Sequence, residues 1–206
     1  MYLLQEILRF NQRRQSEGIK RLQWIHGLMK PHPGFVRGQI SRFLGNPTDY
    51  LILRVWNSPE DYQTFRASPD GGYGKSRPEG LYDGVPVGRG WERRLETDTG
   101  APGEYLVRSI YEPAEGRAED FVNNRRRHDG LFAQVPRQSS IETWQCTDTE
   151  GIGLGTFLVL ARRADRDAYN QYLESAQSEE YRKGNERGLY KTVLTECYEQ
   201  VDETRP

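Results

Sequence analysis

The stretch Tyr50-Leu-Ile-Leu-Arg-Val-Trp-Asn-Ser-Pro-Glu-Asp-Tyr-Gln-Thr-Phe65 returns, without gaps, as Phe157-Leu-Val-Leu-Ala-Arg-Arg-Ala-Asp-Arg-Asp-Ala-Tyr-Asn-Gln-Tyr172. Leu51, Leu53 and Tyr62 become Leu158, Leu160 and Tyr169. In the first copy an apolar run meets a helix start: Ser58 reads as the N-cap, Pro59 as the first helical residue, and Glu60 and Asp61 as first-turn acids that favour the positive end of the helix dipole.

Working outward, Gly80-Leu81-Tyr82 recurs as Gly188-Leu189-Tyr190, and Trp91-Glu92 with Glu96-Thr97 recurs as Tyr198-Glu199 with Glu203-Thr204. Tyr2-Leu3-Leu4 matches Tyr105-Leu106-Val107, and His32-Pro-Gly34 matches His128-Asp-Gly130. Blocks repeated in one order at a spacing of about one hundred residues indicate an internal repeat.

Periodicity and turn residues predict, for the first copy, a strand over 2–10 and a helix over 14–30 with Ile19, Leu22, His26 and Met29 on one stripe. Strands over 35–43 and 50–56, a helix over 58–68 and a strand near 91–95 follow. The second copy predicts strands at 105–111, 139–146, 156–162 and 190–198, with helices at 118–131 and 167–183. Asp98-Thr-Gly-Ala-Pro-Gly103 is small, polar and rich in Gly and Pro, so the chain divides into residues 1–97, a linker 98–103 and residues 104–206.

A βαββαβ order gives a four-stranded antiparallel sheet with both helices on one face. The bare face needs a cover, and the other copy supplies it about a pseudo-two-fold axis. The expected fold is α+β: two tandem ferredoxin-like units forming an intramolecular dimeric α/β barrel, with a further homodimer open. Strands two and four of such a unit lie at opposite edges, so Cys146 and Cys197 should not meet; they are expected as small buried residues.

With 12 Tyr, 7 Phe and 4 Trp, much of the surface to be buried is aromatic. A formal net charge of -1 argues against a nucleic-acid partner, whose phosphates need clustered Lys and Arg. No stretch approaches the roughly 18 apolar residues that span a bilayer, and residues 1–10 run into Asn11-Gln-Arg-Arg14 without a signal-peptide layout. No membrane partner and a cytoplasmic location are the expectation.

Pro33-Gly34-Phe35 and Tyr50-Leu-Ile-Leu-Arg-Val-Trp-Asn-Ser-Pro-Glu-Asp-Tyr62, set in this frame, resemble the antibiotic-biosynthesis monooxygenase family of the dimeric α/β barrel superfamily. The resemblance implies a pocket between sheet and helices. Its members include quinone-forming oxygenases that use no cofactor, haem-degrading enzymes, isomerases and proteins without known activity, so it does not by itself assign a reaction.

Trp56 and Tyr62 match positions resembling the phenol-binding Trp and Tyr of the cofactor-independent oxygenases. Against this stands plain core packing, since aromatics dominate burial. The polar Asn that those oxygenases carry on the third strand is replaced by Ile52, and the second copy has Arg163 opposite Trp56, keeping only Tyr169. Haem-degrading relatives need an axial His on the second helix; along that helix and its exit the comparable stretch, Asp70-Gly-Gly-Tyr-Gly-Lys75, has none, which disfavours haem.

His32 and His128, equivalent in the repeat, read as helix-ending residues that complement the dipole. His26 instead points to the sheet with its apolar stripe and is the best single polar candidate, as base or as hydrogen-bonded filler. Residues 69–90 hold seven glycines and three prolines. So long a connection is either a lid, with Tyr73, Lys75, Arg77 and Tyr82 gating the pocket, or an interface arm.

There is no Ser/His/Asp set and no His/carboxylate cluster at metal spacing. Gly151-Ile-Gly-Leu-Gly155 has the glycines of a phosphate loop but precedes a strand. The reading is a monooxygenase-like protein acting on a hydrophobic or aromatic small molecule without metal or flavin, with Trp56, Tyr62 and His26 as the reacting set and Tyr73, Arg77, Tyr82 and Tyr169 as binding residues. The alternatives are a hydrophobic-ligand or haem-binding module without turnover, and an interaction protein whose pocket is filled by its own aromatics.

Overall fold

In the computed structural model residues 1–147, 155–183 and 188–206 are described, with the side chains of 74–76 excepted. The glycine run 151–155 therefore lies, but for Gly155, outside the described residues, as does the side chain of Lys75.

The element order is β1 (Tyr2–Arg9), α1 (Gln15–Met29), β2 (Phe35–Phe43), β3 (Asp49–Trp56), α2 (Pro59–Ala67) and β4 (Val87–Asp98), then β5 (Tyr105–Pro113), α3 (Ala118–Phe132), β6 (Gln138–Cys146), β7 (Phe157–Arg163), α4 (Arg166–Glu174), α5 (Ala176–Lys183) and β8 (Tyr190–Thr204). The chain forms two compact units, one of Met1–Trp91 with Gln200–Pro206 and one of Glu92–Glu199. Each is α+β and ferredoxin-like.

In the first unit β3 lies between β1 and β2, antiparallel to both, and β4 lies beside β1. Every β3 residue after Asp49 is buried, which is why it reads as a nearly unbroken apolar run. Helix α1 buries Gly18, Leu22, Ile25, His26 and Met29, a stripe at helical spacing. Ser58 caps α2 by accepting from the Asp61 N–H.

The second unit has the order β8-β5-β7-β6, with all of β7 buried. Asp165 caps α4 by accepting from the Ala168 N–H. The helix expected over 167–183 is two, because Ser175 is extended (φ -70°, ψ 152°) and separates α4 from α5. Both closing strands are longer than expected, since alternation continues past the blocks that the match picked out.

The pairing register corrects the histidine match. Phe35 pairs with Trp56, and Gln138 pairs with Arg163, so Phe35 corresponds to Gln138 and α1 to α3. Gly34 then corresponds to Arg137, and both hold the left-handed backbone at φ 85° and 64°. His32 corresponds to Val135, and His128 takes the place of Ile25 inside α3. His32 and His128 are not equivalent: a three-residue likeness was displaced by several positions from the frame that the strands impose. The two cysteines are half-buried rather than buried, and they are not joined in a disulfide.

Candidate functional site

Alternation along β1 and β3 puts Glu6 and Arg54 on the face that carries Leu8, Ile52 and Trp56. Arg54 is 1% exposed and donates from Nη1 to Glu6 Oε2. Burial works against its charge, but the Glu6 carboxylate and nearby tyrosines outweigh that, and the guanidinium holds its proton more tightly than an exposed arginine. The short 3-10 turn Asp70–Ser76 follows α2 and brings the Tyr73 ring to 5.9 Å from the Arg54 guanidinium. Tyr73 stacks on Phe65, which packs on Trp56. Its backbone carbonyl accepts from Arg21 Nη2 at 2.9 Å.

Two cavities meet at these side chains. The inner one, about 30 Å³, is lined by Leu8, Leu22, Ile25, Arg21, Tyr82 and Pro86 together with Glu6, Arg54, Tyr73 and Arg77. That is room for about one water. The outer one is an open cleft of about 450 Å³ lined by Arg66, Ser68, Pro69, Gly71 and Gly72, and again by Glu6, Tyr73 and Arg77. Its size falls in the range of roughly 300–1,000 Å³ typical of small-molecule sites.

Tyr73, Arg77 and Tyr82 are thus brought together, with Arg77 5.3 Å from the Tyr82 ring. Trp56, Tyr62 and His26 line neither cavity. Trp56 is fully buried among Phe35, Tyr62 and Phe65, with its Nε1–H lacking a partner among the described residues. Tyr62 stacks on Tyr2, and its hydroxyl accepts from Arg66 Nη1 at 3.1 Å.

His26 is fully buried and packs on Gly38, where a Cβ would fall 2.6 Å from its Nδ1. Neither ring nitrogen has a partner among the described residues. Burial, aided by Arg54, pushes its pKa down to about 3, so it is a neutral imidazole. His32, by contrast, bonds Asp70 through Nε2 at 2.9 Å and ties the end of α1 to the Tyr73 turn.

Tyr169 lies in the second unit, stacked on Tyr105 as Tyr62 is on Tyr2. Where Trp56 sits in the first unit, Arg163 lies over Phe132, Tyr169 and Tyr172. Burial without a carboxylate pushes its pKa down to about 10. Buried Arg125 donates to His128 Nδ1 at 2.8 Å and to Asp129 Oδ1 at 3.3 Å, and His128 Nε2 bonds the Tyr172 hydroxyl. Arg125, His128, Arg163, Tyr172 and Tyr181 are all buried in this unit.

Sequence reading missed Glu6, Arg21, Arg54 and Arg66. For Glu6 and Arg54 a signal existed: each is a charge inside an apolar strand at same-face parity, and a buried charge requires a partner.

The chain is similar to a candidate monooxygenase from Lactobacillus acidophilus (TM-score 0.79, 13% identity, covering 99% of this chain and 95% of that one). It is also similar to an anthrone oxidase-like protein (0.71, 13%, 99% and 92%). A third likeness is to a ferredoxin-fold protein related to antibiotic-biosynthesis monooxygenases from Listeria monocytogenes (0.52, 10%, 97% and 95%). The chain has the fold of these proteins. No family model matches the sequence, and no curated protein matches it. At these identities the likeness establishes the fold, across both units.

Haem, which the resemblance also brings in, would find no His, Cys or Met among the described residues lining these two cavities; the Tyr73 and Tyr82 phenols are the iron-ligating groups present there. Among the described residues no group of His, Cys, Asp and Glu is placed to hold a metal ion, and no helix is long and apolar enough to cross a membrane.

Proposed function

We propose that the first unit binds a hydrophobic aromatic small molecule in the cleft at Tyr73 and oxygenates it without metal or flavin. The observation that supports this reading is the position of Glu6: one carboxylate, held by a buried arginine, on the wall of both cavities. A substrate with an acidic methylene between aromatic rings loses a proton to that carboxylate, and the surrounding guanidiniums favour the resulting anion. The electron-rich carbon adds dioxygen, and the hydroperoxide loses water to leave a carbonyl. The methylene gives up both hydrogens and becomes a ketone, and dioxygen is reduced, with one of its atoms in the ketone and the other in water. Trp56, Tyr62 and Phe65 form the wall on which Tyr73 rests; His26, being neutral, has no charge to offer.

The test is oxygen uptake by protein stripped with a chelator, with an anthrone as substrate. Wild type should exceed spontaneous oxidation, and Glu6→Gln should be slower by about a hundredfold, the usual scale of a lost general base. No rate above background removes the enzyme reading. Binding of the anthrone without oxygen uptake would make the unit a binding module.

A further inference from the structure

Among the described residues, the two cavities above are lined by four arginines, Arg21, Arg54, Arg66 and Arg77, and one carboxylate, Glu6. Glu6 is engaged by Arg54. The partner of Arg66 is the neutral hydroxyl of Tyr62, and Arg77 lies over the Tyr82 ring. Among the described residues neither Arg66 nor Arg77 makes an ion pair. Surface arginines are ordinarily solvated and need no explanation. These two differ in sharing one concavity with the Tyr73 ring and the Ser68 hydroxyl, next to a buried third guanidinium. Like charges converging on a cleft raise the local potential, and a guanidinium fork matches a planar oxyanion.

We infer that the cleft selects aromatic carboxylates. Arg66 and Arg77 hold the carboxylate at the mouth, and the ring lies against Tyr73. This inference rests on the site assigned under the proposed function, and it names the class of substrate that the site takes.

The experiment compares anthracene-9-carboxylate with its neutral amide in equilibrium binding, followed by ligand fluorescence at fixed ionic strength. Wild type should hold the acid at least about tenfold more tightly than the amide, and added salt should narrow the gap. Arg66→Gln and Arg77→Gln should each reduce the preference while amide affinity stays level, which also shows that the cleft is intact; Arg77→Lys should restore part of it.

Equal affinity for acid and amide, a preference that survives both glutamine variants, or no binding of either probe overturns the inference. If the amide-type substrate is bound and oxygenated as well as the acid, the anion inference falls and the oxygenase reading stands. If the acid is selected but no substrate consumes oxygen, the reverse holds.

Discussion

Position 26 in α1 and position 129 in α3 are equivalent, and each places a polar group on the sheet-facing stripe. Their titrations oppose each other. Burial pushes His26 from 6.5 down to about 3, so between those values the unfolded chain carries a proton that the folded one lacks. Its contribution is complete above pH 6.5 and is lost as pH falls, at no more than about 1.4 kcal/mol per pH unit. Burial pushes Asp129 from 3.8 up to about 6 despite Arg125, so its contribution is lost as pH rises through that interval. Asp129→Asn should therefore give a protein whose urea midpoint rises with pH from 3.8 to 6 more steeply than that of His26→Leu, in which Asp129 and buried His128, also held below its ordinary value, oppose each other. Parallel pH profiles in both variants would count against burial as the cause. At the same scale, Gly38→Ala drives a methyl into the His26 ring and should cost about 1–3 kcal/mol in denaturant unfolding. Most of that cost should vanish in a His26→Ala background.

At the scale of elements, the same serine device ends a helix in both units. Ser68 Oγ donates to the Phe65 carbonyl and accepts from the Gly71 N–H, and Ser175 Oγ donates to the Tyr172 carbonyl and accepts from the Ser178 N–H. Each serine closes one helix and starts the next turn. Ser175→Ala should cost about 1 kcal/mol, the worth of a helix cap, and should loosen hydrogen-exchange protection in α5 before α4. The break was legible in principle, because Ser68 and Ser175 sit three residues beyond the matched Phe65 and Tyr172. A polar helix face with good propensity concealed it. The histidine match erred oppositely, for three residues cannot outweigh a strand register held by a whole ladder of hydrogen bonds.

At the scale of the molecule, two units of like topology differ in what fills the space beneath their helices. The first lines a cleft of about 450 Å³; the second buries Arg125, His128, Arg163, Tyr172 and Tyr181 among one another. Tyr172→Phe, which removes the hydroxyl bonded to His128, should lower stability by about 1 kcal/mol and leave probe binding unchanged. Tyr73→Ala should weaken probe binding severalfold, and because the ring also stacks on Phe65 and lies over Arg54 it should cost about 1–3 kcal/mol in denaturant unfolding. A drop in binding for Tyr172→Phe would mean that the second unit takes ligand as well.

The sequence alone determined the order of the strands, the central apolar strands, the helix start at Ser58 and the ferredoxin-like class, because each is written in local periodicity and capping chemistry. It also marked Tyr73, Arg77 and Tyr82 as a group, through the Gly/Pro-rich connection that carries them. Only the tertiary structure decided that Glu6 and Arg54 pair on one face and that Arg66 and Arg77 share a cleft. It alone left Trp56 and His26 in the core behind the cavities. Those facts depend on which strands are neighbours and how far a side chain reaches across them: a charge inside an apolar strand marks Glu6 and Arg54 each as needing a partner, but with 48 positions between them nothing local says which partner it is.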